Sequence, residues 1–218
     1  MRWLLEFWDS NIGKKYVMAV TGIGLVLFAF AHMAGNLQVF AGADVFNDYA
    51  HKLKSLGPLL WIARLGLLTM AVLHIISALQ LTARARAARP QDYVKRESQI
   101  ATLASRTMRV GGVILAAFLI FHILHFTTGQ LHPAFSETGA YGNVVIGFKV
   151  WWVAIFYIVA MTFFGLHLYH GVWAGFRSLG VAKPNPMPME RKLALGAAII
   201  IWAGFIAVPI GVLLGIVN

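Results

Sequence analysis

Residues 16–40 read YVMAVTGIGLVLFAFAHMAGNLQVF. These 25 residues contain no Asp, Glu, Lys or Arg. A helix needs about 20 apolar residues to cross a hydrocarbon core ~30 Å thick, so the run is long enough to span. One side chain stands out, the imidazole of His32. Ionisable groups within a bilayer are costly and mark function. Working outward, four more apolar runs follow at 58–82, 107–128, 148–176 and 193–217. Three of them also carry histidine: His74, then His122 and His125, then His167 and His170. Pro58 suits a first helical turn. Pro209 lies inside the fifth run, where proline kinks a helix.

The whole chain agrees with this reading. Of 218 residues, 59% are hydrophobic and 12% charged, and the mean hydropathy is +0.73. Soluble domains carry about 45–50% apolar and about 25% charged residues. The composition excludes a soluble globular domain, a disordered tail and a coiled coil. The expectation is an all-α integral membrane protein with five transmembrane helices, forming one membrane domain over residues 1–218. Residues 1–11 lack the long apolar core of a cleavable signal. Trp3, Phe7 and Trp8 there suit the headgroup level. Pro184, Pro186 and Pro188 mark a stiff connector before the fifth run. Cysteine is absent, which removes disulfides, thiolate zinc sites, iron–sulfur ligation and thioether-linked haem.

The net charge of +10 is a topology signal rather than a nucleic-acid footprint, because the basic residues flank apolar runs and form no stripe. Arg2, Lys14, Lys15, Arg84, Arg86, Arg89, Lys95, Arg96, Arg106, Arg109, Arg177, Lys183, Arg191 and Lys192 fall on one side. Only Lys52, Lys54 and Lys149 fall on the other. Arg64, near the outer end of the second run, can snorkel. The positive-inside rule then puts the N-terminus in the cytoplasm and the C-terminus outside.

The histidines sort by depth. His32 lies eight residues before the outer end of its run, and His122 six before the outer end of its own. Both sit roughly 9–12 Å below the outer surface at ~1.5 Å per residue. His74 and His167 lie eight and nine residues before the inner ends of theirs. Both sit roughly 12–14 Å above the inner surface. Two layers result, His32 with His122 and His74 with His167. Facing imidazoles in a bundle core are what a six-coordinate haem iron needs, so two layers imply two b haems. A single membrane histidine is commonly an interhelical hydrogen-bond partner. Four on four helices at two matched depths are harder to read that way. Within His122/His125 and His167/His170, i and i+3 share a helix face, so spacing leaves the ligand open. All eight carboxylates lie outside the runs, which disfavours a di-iron or zinc site. Gly171/Gly175 and Gly211/Gly215 are small-residue pairs suited to close packing. Gly22, Gly24, Gly35, Gly111 and Gly112 suit either helix packing or approach to a porphyrin edge.

Five stretches together resemble a known family: AHMAGNLQVF (31–40), FNDYAHKLKSLGP (46–58), LHIISALQLTARARAAR (73–89), SRTMRVGGVILAAFLIFHILHF (105–126) and LHLYHGVWAGFRSLG (166–180). They are similar to the di-haem cytochrome b membrane anchor of succinate:quinone oxidoreductases, that is, succinate dehydrogenases and quinol:fumarate reductases with one large anchor. The resemblance runs from Ile12 to the fifth run. It implies that the first four helices form a haem-binding bundle. His32 and His122 would be the axial ligands of the distal haem, His74 and His167 those of the proximal haem. It implies too that the first histidine of each His-x-x-His is the ligand, and that His51 is not one. A flavoprotein and an iron–sulfur protein would dock at the cytoplasmic face of a bacterial inner membrane. Electrons would pass from succinate through both haems to a quinone, with menaquinone expected.

The basic loop 84–109 is a reasonable docking surface, though the positive-inside signal alone also accounts for it. Asn36, Gln38, Tyr49 and His51 are quinone candidates near the outer layer. Ser105, Arg106 and Arg109 are candidates near the inner layer. Arg106 and Arg177 are candidates for haem propionates, since arginine pairs well with carboxylates. Some fumarate reductases of the family carry an acidic residue where this chain has Gly165, which leans the reading toward succinate oxidation. Other readings are the anchor of a quinol:fumarate reductase, a di-haem cytochrome b of hydrogenase or formate dehydrogenase type, a histidine-based proton channel or transporter, and a haem-free anchor.

Overall fold

The computed structural model describes residues 2–88, 102–181 and 189–218. The stretches 89–101 (with Arg89, Lys95 and Arg96) and 182–188 (with Lys183, Pro184, Pro186 and Pro188) lie outside the described residues. Helices make up the described fold, and among the described residues there is no strand. They are α1 (Arg2–Asp9), α2 (Asn11–Leu37), α3 (Ala43–Ser55), α4 (Pro58–Ala87), α5 (Leu103–His122), α6 (Ala140–Lys149), α7 (Trp151–Ser178) and α8 (Met189–Leu213). Five helical segments, Asn11–Ala41, Pro58–Ala87, Leu103–Thr127, Trp151–Ser178 and Met189–Leu213, are long and apolar enough to cross a membrane. Large apolar side chains such as Leu27, Ile62, Val113 and Ile200 are exposed along them. That is the surface a helix presents to lipid rather than water.

Several helix limits differ from those expected, each for a local reason. The first spanning helix begins at Asn11 rather than at 16, because Ser10 caps it. The Ser10 hydroxyl accepts from the Gly13 amide at 2.8 Å and donates to the Phe7 carbonyl at 2.8 Å. Lys14, expected in a flanking loop, instead lies on α2. It is 1% exposed, with its ammonium 4.3 Å from the Trp8 ring centre. Gly13 makes this corner possible, since a Cβ there would stand 1.8 Å from the Phe7 carbonyl oxygen. Gly13→Ala is therefore expected to pry α1 off α2 at a cost of about 1–3 kcal/mol, the usual range for overpacking. Faster proteolysis within residues 2–9 would report it, and unchanged protection would refute the packing role.

The fourth spanning helix begins at Trp151 rather than at 148. Val150 has extended backbone (φ −75°, ψ 93°) and divides α6 from α7. Hydropathy does not register the corner, because apolar residues continue across it and Lys149 is the lone charge. The third run ends in a π-helical turn, Ile123–Thr127, with the Thr128 amide on the Ile123 carbonyl at 2.9 Å. The fifth helix stops at Leu213, short of 217. Gly215 (φ 70°) turns the chain back, and the Ile216 and Val217 amides both bond the Gly211 carbonyl. Pro209 is buried inside α8, which runs on past it.

The packing order decides where a site can form. α2 packs on α4 and on α7, and α7 on α5, while α8 covers α7 and α2 from behind. α4 and α5 make at most marginal contact, so the ring of four is open along that edge. Only Ser77 of α4 is buried. α2 and α5 thus stand at opposite corners of the ring, as do α4 and α7. At the end away from most basic residues lies an apolar core of Val39, Phe46, Val145, Phe148, Val153, Ala154, Tyr157, Val208, Val212 and Val217. It ties α3, α6 and the last turns of α8 to α7.

Candidate functional site

Imidazoles face each other across both diagonals of this ring. The His32 and His122 ring centroids are 5.8 Å apart with planes at 76°. Those of His74 and His167 are 6.2 Å apart at 58°. The helix pairs carrying them make at most marginal backbone contact, so the side chains alone bridge each gap. These are the two pairings read from depth.

Whether the residues suit an iron between them can be tested on these distances. Imidazole–metal bonds of about 2.0–2.1 Å, plus roughly 1.1 Å from nitrogen to ring centre, put centroids about 6 Å apart. Both pairs match that value. The nitrogens agree as well. His74 Nδ1 donates to the Met18 carbonyl at 3.0 Å, which leaves Nε2 as the lone-pair nitrogen. His122 Nδ1 is 3.3 Å from the Tyr157 hydroxyl, again leaving Nε2. Asn36 Nδ2, a donor, lies 3.4 Å from His32 Nε2, which marks Nε2 as the lone-pair nitrogen there too. At the level of the His74–His167 pair, His167 Nδ1, Ser77 Oγ and Gln80 Oε1 are buried without a partner among the described residues. Buried polar atoms are seldom left so. The donor set fits haem.

The second histidine of each His-x-x-His goes elsewhere. His125 sits in the π-helical turn, fully buried, with Nδ1 3.1 Å from the Tyr157 hydroxyl and its ring 5.0 Å from that of His132. His132, expected in an outer loop, is buried too. Its Nε2 donates to the Asn143 carbonyl at 2.8 Å, and its Nδ1 accepts from the Ala134 amide at 3.1 Å. With both nitrogens engaged, it clamps residues 129–143. His170 lines a cavity of about 260 Å³ at the basic end, with Thr102, Ser105, Tyr169, Trp173, Arg177 and Arg191.

The remaining candidates divide between the two ends. Arg177 and Ser105 meet in that cavity, and the Arg177 guanidinium lies 5.7 Å from the Trp173 ring centre. Arg106 and Arg109 are exposed and do not line it. At the other end, the Tyr49 side chain lies where a Cβ on Gly35 would be. His51 is exposed on α3; two residues apart, Tyr49 and His51 do not share a helix face. Gln38 is half-buried in the short 3-10 turn Gln38–Ala41. Arg64 stacks over Trp61 at 5.0 Å.

Sequence reading missed Thr21, Ser77 and Tyr157. Thr21 Oγ1 bonds the Val17 carbonyl at 2.7 Å and lies 3.4 Å from His74 Nδ1. A search for polar letters one turn from each histidine would have found Ser77. Tyr157 carries no such periodic signal. Four of the glycines are packing positions: Gly24 meets Met70, Gly35 meets Tyr49, Gly111 meets Phe163 and Gly211 meets Phe40, whereas a Cβ on Gly112, Gly171, Gly175 or Gly215 would meet nothing within 4 Å among the described residues. Gly22 differs, since its missing Cβ would stand 3.3 Å from the His74 imidazole. No protein family, curated protein or solved structure matches the chain.

Proposed function

We propose that this chain is the cytochrome b membrane anchor of a succinate:quinone oxidoreductase, working in succinate oxidation. The observation that carries the reading is the pair of imidazole pairs, each bridging a diagonal of one bundle, at 5.8 and 6.2 Å. When bound, two haem irons supply one-electron centres at two depths between cytoplasmic partners and a quinone. His32 and His122 would hold the haem nearer the outer face, and His74 and His167 the inner one. The Met18 carbonyl holds His74 in the tautomer that ligation requires.

Arg177, lining the cavity at the basic end, offers a cation to propionate carboxylates, with Arg106 on the neighbouring surface. Asn36, 3.4 Å from His32, and Tyr49, packed on Gly35, offer an amide and a hydroxyl to a quinone carbonyl, menaquinone being the expected quinone. The positive-inside rule supports a cytoplasmic N-terminus in a bacterial inner membrane, and with it docking of a flavoprotein and an iron–sulfur protein at the basic end. Gly165 packs under Trp202, where a Cβ would come within 3.2 Å of the indole side chain. Some fumarate reductases of the family carry a carboxylate at that position, and glycine there favours succinate oxidation over fumarate reduction.

The test is a dithionite-reduced minus oxidised spectrum of the purified protein, with haem counted per chain. Sharp b-type bands and two haems per chain are expected. A chain that purifies without haem from haem-replete cells refutes the reading in favour of a channel, transporter or plain anchor. Co-purification of a flavoprotein separates this oxidoreductase from other di-haem cytochromes.

A further inference from the structure

Tyr157 lies on α7, ten residues before His167, inside the aromatic core. Phe118, Phe121, Phe126 and Phe148 meet its ring edge-on, at centroid distances of 5.0–6.0 Å. In that apolar surround its hydroxyl has two polar neighbours among the described residues, His122 Nδ1 at 3.3 Å and His125 Nδ1 at 3.1 Å. His125 cannot drift away. Its ring lies against Phe126 at 4.2 Å and beside His132 at 5.0 Å, and a Cβ on Gly147 would come within 3.0 Å of it.

Hydrogen-bond arithmetic then sets the direction of the chain. An imidazole that gives Nε2 to a metal keeps its hydrogen on Nδ1. His122 Nδ1–H therefore donates to the Tyr157 oxygen. The hydroxyl hydrogen goes on to His125 Nδ1, the other polar neighbour. A hydroxyl that donates onward is a better acceptor. Resting on the haem reading above, we infer that Tyr157, held by His125, is the positioning residue of His122: it fixes the rotation of that imidazole and raises its basicity toward iron. The two haem levels are thereby tuned by different acceptors. His74 leans on a backbone carbonyl, which no substitution removes, and His122 leans on a phenol, which one substitution does. A more basic ligand favours the oxidised iron. Losing the hydroxyl raises the midpoint potential of one haem and leaves the other where it was.

Tyr157→Phe keeps the ring and deletes the hydroxyl, and His125→Gln removes the imidazole behind it. Redox titration and low-spin EPR of the purified protein read both variants. The expected result is two haems retained, one component moved to higher potential with an altered EPR signal, and the other component unmoved. The shift should be larger in Tyr157→Phe. Unchanged potentials or a downward shift in Tyr157→Phe overturns the inference. Unaltered protein without two b-type components would sink the haem reading itself, and this inference with it.

Discussion

Replacing His74 by alanine should, on the proposed di-haem reading, halve the haem content from two per chain to one, and abolish one b-type spectral component while sparing the other. The expectation follows from the geometry of the diagonals. His74 reaches His167 from α4, a helix that packs on α2 and otherwise makes at most marginal contact. No other imidazole is placed to take over. His170, one turn on from His167, lines the cavity at the basic end instead. His32 and His122 belong to the other diagonal and share no helix with His74. Truncation also removes the bond to the Met18 carbonyl, but α2 and α4 keep their apolar seam, so the fold should survive. An independent substitution reaches the same centre from α2. A side chain at Gly22 would press on the His74 imidazole, so Gly22→Val should disturb the same component His74→Ala removes. Retention of both components in His74→Ala, or loss of both from folded protein, would break the assignment of pairs.

The reach of the sequence can be judged residue by residue. The five helices were legible because lipid demands about 20 apolar residues from each, and a demand that coarse leaves a coarse signal. The imidazole pairs were legible because a histidine in an apolar run is rare, and helical rise converts its position into depth. Corners were not. Val150 turns the chain within an unbroken apolar stretch, and the π-helical turn at Ile123–Thr127 has no letter that announces it. Ser10 and Gly13 lengthen α2 through a cap and a close approach that hydropathy ignores. His132 was the least legible. Its place before Pro133 reads as loop, yet it is buried, because two backbone groups use both its nitrogens. The polar candidates at the two ends were only partly legible. Exposure on short helices such as α3 depends on which neighbour arrives, so Tyr49 turned inward and His51 did not.

The sharpest contrast available lies within the two His-x-x-His pairs. His122→Ala should remove the component that His74→Ala spares, whereas His125→Ala should leave two haems in place. At i and i+3 both members of each pair sit on one helix face, so spacing cannot separate them. In the structure, His122 turns to His32 at 5.8 Å, while His125 is sealed among Phe121, Phe126 and His132. A porphyrin cannot reach a fully buried imidazole in an aromatic cage without dismantling it. The same contrast holds on α7. His167→Ala should reproduce the His74→Ala spectrum, because both variants would take one imidazole from the same iron. His170→Ala should keep both haems, since that ring faces the basic end beside Arg177 and Arg191. Second-sphere losses typically weaken a metal site 10–100-fold without emptying it, so occupancy near two in the His125 and His170 variants is the discriminating readout. If His125→Ala or His170→Ala empties a site while its neighbour's variant does not, the ligands are the other two histidines, and the facing imidazoles are hydrogen-bonding partners instead.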